Sequence, residues 1–338
     1  MKAAVFKQKN QMAVINVPKP KPGAGEVVLK VHACGICGSD LHAVQYGGLP
    51  PETVMGHEFC GEIHEIGPRV SGYSLGERVT SLPYISCGEC DDCRAGEGMR
   101  CVKIRGIGLG QMPGAYAEFV TCGVKSLLKL PDNLTSREGA LVEPLSVGLH
   151  GVNRSGLKPG GGCIVMGAGP IGLSTLLWCK AKGAKTVVVS ELAERRFELA
   201  YSLGASAVVN PNQESPAHKF RELTGEAPRL IFECIGVKST LQSAIEMAAP
   251  RARIVVIGVC MEPDLIAPMH CVLKELVLDF ALAYNRAEFQ ETIDALSSGK
   301  IDAKPMITDV IGVEAVPAMF ETLRTPTAQA KVIVEFPL

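Results

Sequence analysis

The sequence predicts an α/β protein in two parts, a β-rich N-terminal domain followed by a doubly wound parallel sheet. Three observations predict it. Residues 1 to about 147 carry short β-branched runs divided by turn residues. After Pro144 helix and strand signals alternate, which is the rhythm of βαβ units. Between Cys163 and Glu191 that rhythm contains a strand, a glycine turn, a helix, a second strand and a closing acid.

In the first part, Ala3 to Phe6, Met12 to Val17 and Val27 to His32 read as strands, separated by the Pro-Lys-rich turn Pro18 to Gly25. Residues 39 to 46 suit a short helix capped by Ser39. Strands return at His57 to Ile66, Arg78 to Leu82 and Ala117 to Thr121, interrupted by a cysteine-rich loop from Ser86 to Val102. In the second part a helix near Ala193 to Leu203 closes at Gly204. Strands follow at Ala207 to Val209, Leu230 to Cys234, Ile254 to Ile257 and Leu276 to Leu278. Helices near Ala287 to Ser298 and Val313 to Arg324 precede a last strand, Lys331 to Phe336.

The glycine turn reads Gly167-Ala168-Gly169-Pro170-Ile171-Gly172. Gly167 permits the tight turn, Gly169 lets backbone approach a pyrophosphate, and Gly172 lets the helix press on the strand. The helix N-terminus that follows offers unpaired N–H groups and a positive dipole end. Glu191, at the end of the second strand, can accept hydrogen bonds from ribose hydroxyls. That favours NAD over NADP, whose phosphate the acid repels. Arg195 and Arg196 are placed to pull the other way, although Arg196 also suits stacking on adenine.

The bulk numbers exclude several classes. A net charge of −1 gives no field to draw nucleic acid or an anionic membrane surface. No apolar run approaches the roughly 18 residues of a membrane span, and the N-terminus has no signal-peptide pattern. Thirteen cysteines, an odd number with four at metal spacing, favour reduced thiols and zinc in the cytoplasm over a disulfide framework.

Cys87, Cys90, Cys93 and Cys101 place four thiols in one glycine-containing loop, and four thiolates close a tetrahedral zinc site with no open position. That site is expected to be structural. A looser set is Cys34-Gly-Ile-Cys37-Gly-Ser39-Asp-Leu-His42, then His57-Glu58, then Glu143. Cys37, His57 and a carboxylate would leave one coordination position for a substrate oxygen. From spacing alone Cys34 and Cys37 are both possible ligands.

In this order, the segments Cys34 to His42, Met55-Gly-His-Glu58, the cysteine loop, Glu143-Pro-Leu-Ser-Val147 and the glycine turn resemble the zinc-dependent medium-chain alcohol dehydrogenases. The likeness is to the sorbitol, butanediol and threonine dehydrogenase branch and covers essentially the whole chain. It implies a GroES-like β-barrel catalytic domain over residues 1–147, with a structural-zinc loop at 86–102. A Rossmann NAD-binding domain over 148–286 and a C-terminal return over 287–338 complete the expectation. Carried over by position, Cys37 and His57 are implied as zinc ligands and Cys34 falls where the family has none. Glu143 matches the third ligand position, direct or through water, and Glu58 the neighbouring acid that can approach the metal. Ser39 and His42 match a proton relay, and Lys331 a basic contact to the pyrophosphate.

The implied activity is reversible oxidation of a small secondary alcohol, diol or polyol to a ketone, with two zinc ions per chain and NAD. A homodimer or homotetramer in the cytoplasm is the expected state. The metal-ligand residues argue against a zinc-free relative that keeps only the dinucleotide half, and against a non-catalytic NAD-binding protein.

Overall fold

In the computed structural model, which describes residues 1–325 and 328–337, the chain divides into two units. One comprises Met1–Glu143, Asn285–Ser298 and Ile307–Leu338; the other comprises Pro144–Tyr284 and Gly299–Met306. The first unit therefore takes back two late stretches of chain.

The first unit is organised on the strand Glu26–Gly35, which pairs antiparallel with Glu58–Ile66, Phe119–Gly123 and Lys331–Glu335. Alternation explains it: Val27, Leu29 and Val31 point into one core, where they meet Ile63, Val79, Leu127, Val332 and Val334. The strand Ile307–Ile311 pairs parallel with Lys331–Glu335 at the sheet edge. The sequence reading did not foresee it, because Thr308 and Asp309 interrupt its apolar alternation.

In the second unit, strands Gly162–Met166, Thr186–Ser190 and Ala207–Val209 step outward in one direction. Leu230–Glu233, Arg253–Val256 and Val277–Phe280 step outward in the other. All these pairings are parallel. The strand order therefore reverses between Gly162–Met166 and Leu230–Glu233, the switch point at which such sheets hold ligands. Ile164, Val188, Ile231 and Ile254 fill the core on one face, with Phe220 and Ile245 from the covering helices.

The largest departure from expectation is the helix Ser136–Ser155, with Pro144 inside it. Proline removes a helical donor and usually breaks or kinks a helix, so the sequence pattern there reads as a boundary. Close packing accounts for glycines in the same helix. A Cβ at Gly139 would lie 2.7 Å from Cys60 Sγ, and one at Gly148 2.1 Å from Ser174 Oγ. Among the described residues, no helix is long and apolar enough to cross a membrane.

Candidate active site

Cys37 ends the central strand's exit and is the N-cap of the helix Gly38–Tyr46, correcting the expected cap at Ser39. Asp40, at the third helical position, returns its Oδ2 to the Cys37 N–H at 3.2 Å. This capping brings Ser39 over the thiol: Ser39 Oγ donates to Cys37 Sγ at 3.2 Å and lies 3.4 Å from His57 Nε2. His57 precedes the strand Glu58–Ile66 and follows Gly56, whose φ of 94° allows the turn. Tyr116 packs against Gly56 so closely that a Cβ there would lie 2.6 Å from its ring.

Ligand atoms of Cys37, His57 and Glu58 all lie within 4.8 Å of one another. A thiol, an imidazole and a carboxylate at that separation suit zinc and leave a position open. The surroundings fit a cation as well. His57 Nδ1 and Asp40 Oδ1 are buried 3.3 Å apart, and neither has a hydrogen-bond partner among the described residues. Burial alone would lower the His57 pKa, yet the Asp40 carboxylate and Cys37 outweigh it and hold it well above its ordinary value. Asp40 is thus placed to hold a proton on His57 Nδ1, which leaves Nε2, the nitrogen beside Ser39, for a cation.

Glu58 is fully buried, and Lys331 Nζ reaches its two oxygens at 2.7 and 2.6 Å and the Ile36 carbonyl at 3.0 Å. A Cβ at Gly35 would lie 2.0 Å from Glu58 Oε2, so glycine is required there. This corrects the expected place of Lys331. Its ammonium is 1% exposed and committed to Glu58 rather than presented to a pyrophosphate. Burial alone would lower Lys331, but Glu58 more than offsets it and Glu143 adds in the same direction. Glu143 is buried on the helix Ser136–Ser155, and the carboxylate that converges with Cys37 and His57 is that of Glu58.

His42 stands one turn beyond Ser39 on the same helix, half-buried and edge-on to Tyr46. Burial lowers its pKa from 6.5, so it is a neutral acceptor near pH 7. Among the described residues no hydrogen bond joins Ser39 to His42 directly.

The four loop cysteines form a second cluster, with ligand atoms of Cys87, Cys90, Cys93 and Cys101 mutually within 4.8 Å. An antiparallel pair, Tyr84–Ile85 with Arg105–Gly106, closes the base of the lobe. Backbone N–H groups point at the sulfurs: Cys90 N to Cys87 Sγ at 3.4 Å, Cys87 N to Cys101 Sγ at 3.2 Å. The N–H groups of Glu89 and Cys90 pull the Cys87 thiol down to about 6. Four converging sulfurs, one already inclined to be thiolate, match a closed zinc site.

In the other unit, Gly167 turns at φ 95°, and a Cβ at Gly172 would lie 1.9 Å from the Gly167 carbonyl oxygen. Gly169 caps the helix Pro170–Ala181, with Pro170 and Ile171 in its first turn. A Cβ at Gly169 would meet nothing nearer than Arg196 Nη1 at 4.0 Å, so this side of the turn is open for a phosphate. Glu191 accepts hydrogen bonds from the Ala168 and Ala193 N–H groups, each at 2.8 Å, and lies 3.6 Å from Arg196 Nη1. The acid thus ties the second strand to the glycine turn, with lone pairs left for ribose hydroxyls.

Sequence reading missed Asp40 and Tyr116. Tyr116 donates to Asp40 Oδ2 at 2.5 Å, and its oxygen lies 3.2 Å from the Gly35 carbonyl oxygen. The one available signal was the acid three residues after Cys37, and it reads equally well as an ordinary helix cap.

Family models match two stretches of the chain: an alcohol dehydrogenase GroES-like domain over residues 23–132, and a zinc-binding dehydrogenase domain over 170–298. A 2-dehydro-3-deoxy-L-galactonate 5-dehydrogenase from Pseudoalteromonas atlantica is 37% identical over 93% of this chain and 92% of its own. Human sorbitol dehydrogenase is 33% identical over 91% and 88%. Among solved structures, a zinc-binding dehydrogenase from Sinorhizobium meliloti bound to NADP superposes with TM-score 0.89 at 31% identity, covering 99% of both chains. An alcohol dehydrogenase from Escherichia coli complexed with NADH matches at TM-score 0.89 and 30% identity, again over 99% of both.

Proposed function

The chain belongs to the zinc-dependent medium-chain alcohol dehydrogenases, and from that premise we propose that it oxidises a secondary hydroxyl of a polyol, diol or sugar-derived substrate to a ketone. The observation that carries this reading is the convergence of Cys37, His57 and Glu58 beneath the Ser39 hydroxyl. Zinc held by these residues supplies Lewis acidity at the substrate oxygen, and the nicotinamide supplies the hydride acceptor. The chain's own residues do the rest. Asp40 orients His57, Lys331 fixes the Glu58 carboxylate, and Glu143 adds negative charge near that pair. Ser39 can accept the substrate hydroxyl's proton as it releases its own, and His42, neutral at pH 7 and one turn further along the helix, is the final acceptor through an intervening hydroxyl or water. A second zinc in the cysteine lobe is structural in this reading, so each chain binds two.

NAD is the preferred cofactor in this reading, because a carboxylate that closes the second strand beside the glycine turn can accept from ribose hydroxyls and would repel a 2′-phosphate. At about 4 Å and an effective dielectric near 20, a carboxylate and one phosphate charge repel by about 4 kcal/mol, which solvent and salt reduce to about 1–2 kcal/mol. Arg196 opposes this, but it already lies beside Glu191.

A homo-oligomer is supported by the edge strand Val277–Phe280, where Phe280 is 64% exposed, and by the exposed apolar side chains Met269, Val272, Leu273 and Leu282 that flank this strand in sequence. An apolar edge of this kind invites pairing with a second copy. Thirteen unpaired thiols support a reducing compartment, the cytoplasm.

The test is NAD reduction by purified protein across polyols, vicinal diols, hydroxy acids and cyclic secondary alcohols. Turnover confined to secondary hydroxyls supports the reading, and none across the panel contradicts it.

A further inference from the structure

The dinucleotide reading leaves one buried acid without a role. Glu233 ends the strand Leu230–Glu233, on the far side of the point where the strand order reverses. It is 1% exposed, and no cation pairs with it among the described residues. Its Oε1 instead accepts the consecutive N–H groups of Ile235 and Gly236, both at 2.9 Å. Its backbone carbonyl accepts from Ile257 N at 2.8 Å and Gly258 N at 2.9 Å, at the end of the next strand.

Glycine contacts show how tightly this corner is built. Gly236 has φ 70°, and a Cβ there would lie 2.4 Å from Val259 N. A Cβ at Gly258 would lie 2.3 Å from Gly236 N and 2.7 Å from Glu233 Oε2. The loops after two adjacent strands therefore pack backbone on backbone around the carboxylate. The first of them also touches the nucleotide turn: a Cβ at Gly167 would lie 2.9 Å from Ile235 Cγ1. On the opposite side of that turn, Glu191 holds Ala168 N in the same manner. Two carboxylates, at the ends of the strands flanking Gly162–Met166, thus stand on either side of the turn: Glu191 bonds to it directly, and Glu233 bonds to the loop that packs against it.

Burying an unpaired carboxylate is costly, so its two N–H bonds must fix something the fold uses. We propose that Glu233 is a positioning residue for the dinucleotide. It sets the backbone of Cys234–Val237 as the wall of the crevice facing the glycine turn, where Ile235 is left 40% exposed. This rests on the dinucleotide reading above and extends it to the side of the crevice that the glycine fingerprint does not mark.

The experiment is NADH affinity by fluorescence titration without substrate, for wild type, Glu233→Gln and Glu233→Ala, with thermal unfolding of each. The amide oxygen of glutamine can still accept both N–H groups, so its Kd should stay within about three-fold of wild type. Alanine should weaken NADH at least about ten-fold, with kcat at saturating NAD within about three-fold. A lower Tm for Glu233→Ala with wild-type NADH affinity overturns the proposal, because that is how a purely structural residue behaves. If the alanine variant does not fold, amide exchange of Ile235 and Gly236 in the cofactor-free wild type decides. Protection like that of strand amides supports the brace, and free exchange overturns it. Absence of NADH binding by the wild type overturns the dinucleotide reading itself, and this inference with it.

Discussion

Lys331 Nζ sits 2.6 Å from Glu58 Oε2, and both side chains are cut off from solvent although 273 residues separate them in sequence. The pair joins the last strand of the chain to the acid beside His57. Removing one member of a buried pair leaves the other charge stranded, which typically costs about 3–5 kcal/mol, whereas replacing both is often neutral. Lys331→Met should therefore destabilise metal-free protein by that amount in urea titrations, and Glu58→Gln/Lys331→Met should recover most of it. If the double variant is no more stable than Lys331→Met, the two residues are not coupled as described.

Asp40 is predicted to act through His57. Outer-shell partners of metal-bound histidines typically contribute about 10–100-fold in metal affinity or activity. Asp40→Asn should weaken zinc retention or lower kcat by that range, with the Tyr116 hydroxyl left without its acceptor charge. Competition with a chelator measures it, and unchanged zinc affinity together with unchanged kcat counts against the role.

The Ser39–His42 step has its own signature. Ser39→Ala should lower kcat about 100-fold, the lower end of proton-transfer contributions, while zinc content stays the same. Because burial lowers His42 from 6.5, the acid limb of the oxidation rate should lie below that value and vanish in His42→Asn. An acid limb unchanged in that variant would assign it to another group.

These residues differ in how far the sequence exposes them. The glycine turn and the four loop cysteines are legible because spacing itself carries their chemistry: a φ of 95° at Gly167 and four sulfurs within one loop. Asp40 is not, since an acid in a first helical turn has a routine capping use. The Lys331–Glu58 pair depends on a late strand folding back onto Glu26–Gly35, a long-range pairing that no local pattern announces. Likewise Pro144 and the glycines of Ser136–Ser155 disguise a helix that tertiary packing stabilises.

His32 offers a pH test away from the metal ligands. Burial, with Lys30 and Arg78 adding and Glu62 opposing, holds it below 6.5, and its Nδ1 lies 3.4 Å from Ser136 Oγ. Below pH 6.5 the unfolded chain takes up a proton that the folded chain resists, so stability should fall as pH drops below that value. The slope from this one group is at most about 1.4 kcal/mol per pH unit. Urea unfolding from pH 7.5 to 5 should show a shallower decline for His32→Gln, and an identical profile would remove His32 as a contributor.

Two separate metal centres, one of them at the reacting site, underlie the proposed function, and zinc stoichiometry tests them most directly. Freshly purified wild type should carry two zinc ions per chain. Cys37→Ser should carry one and lose turnover while keeping its fold, and Cys93→Ser should lose the lobe zinc and thermal stability. A Cys37→Ser protein that retains both zinc ions and reduces NAD at the wild-type rate would contradict this arrangement.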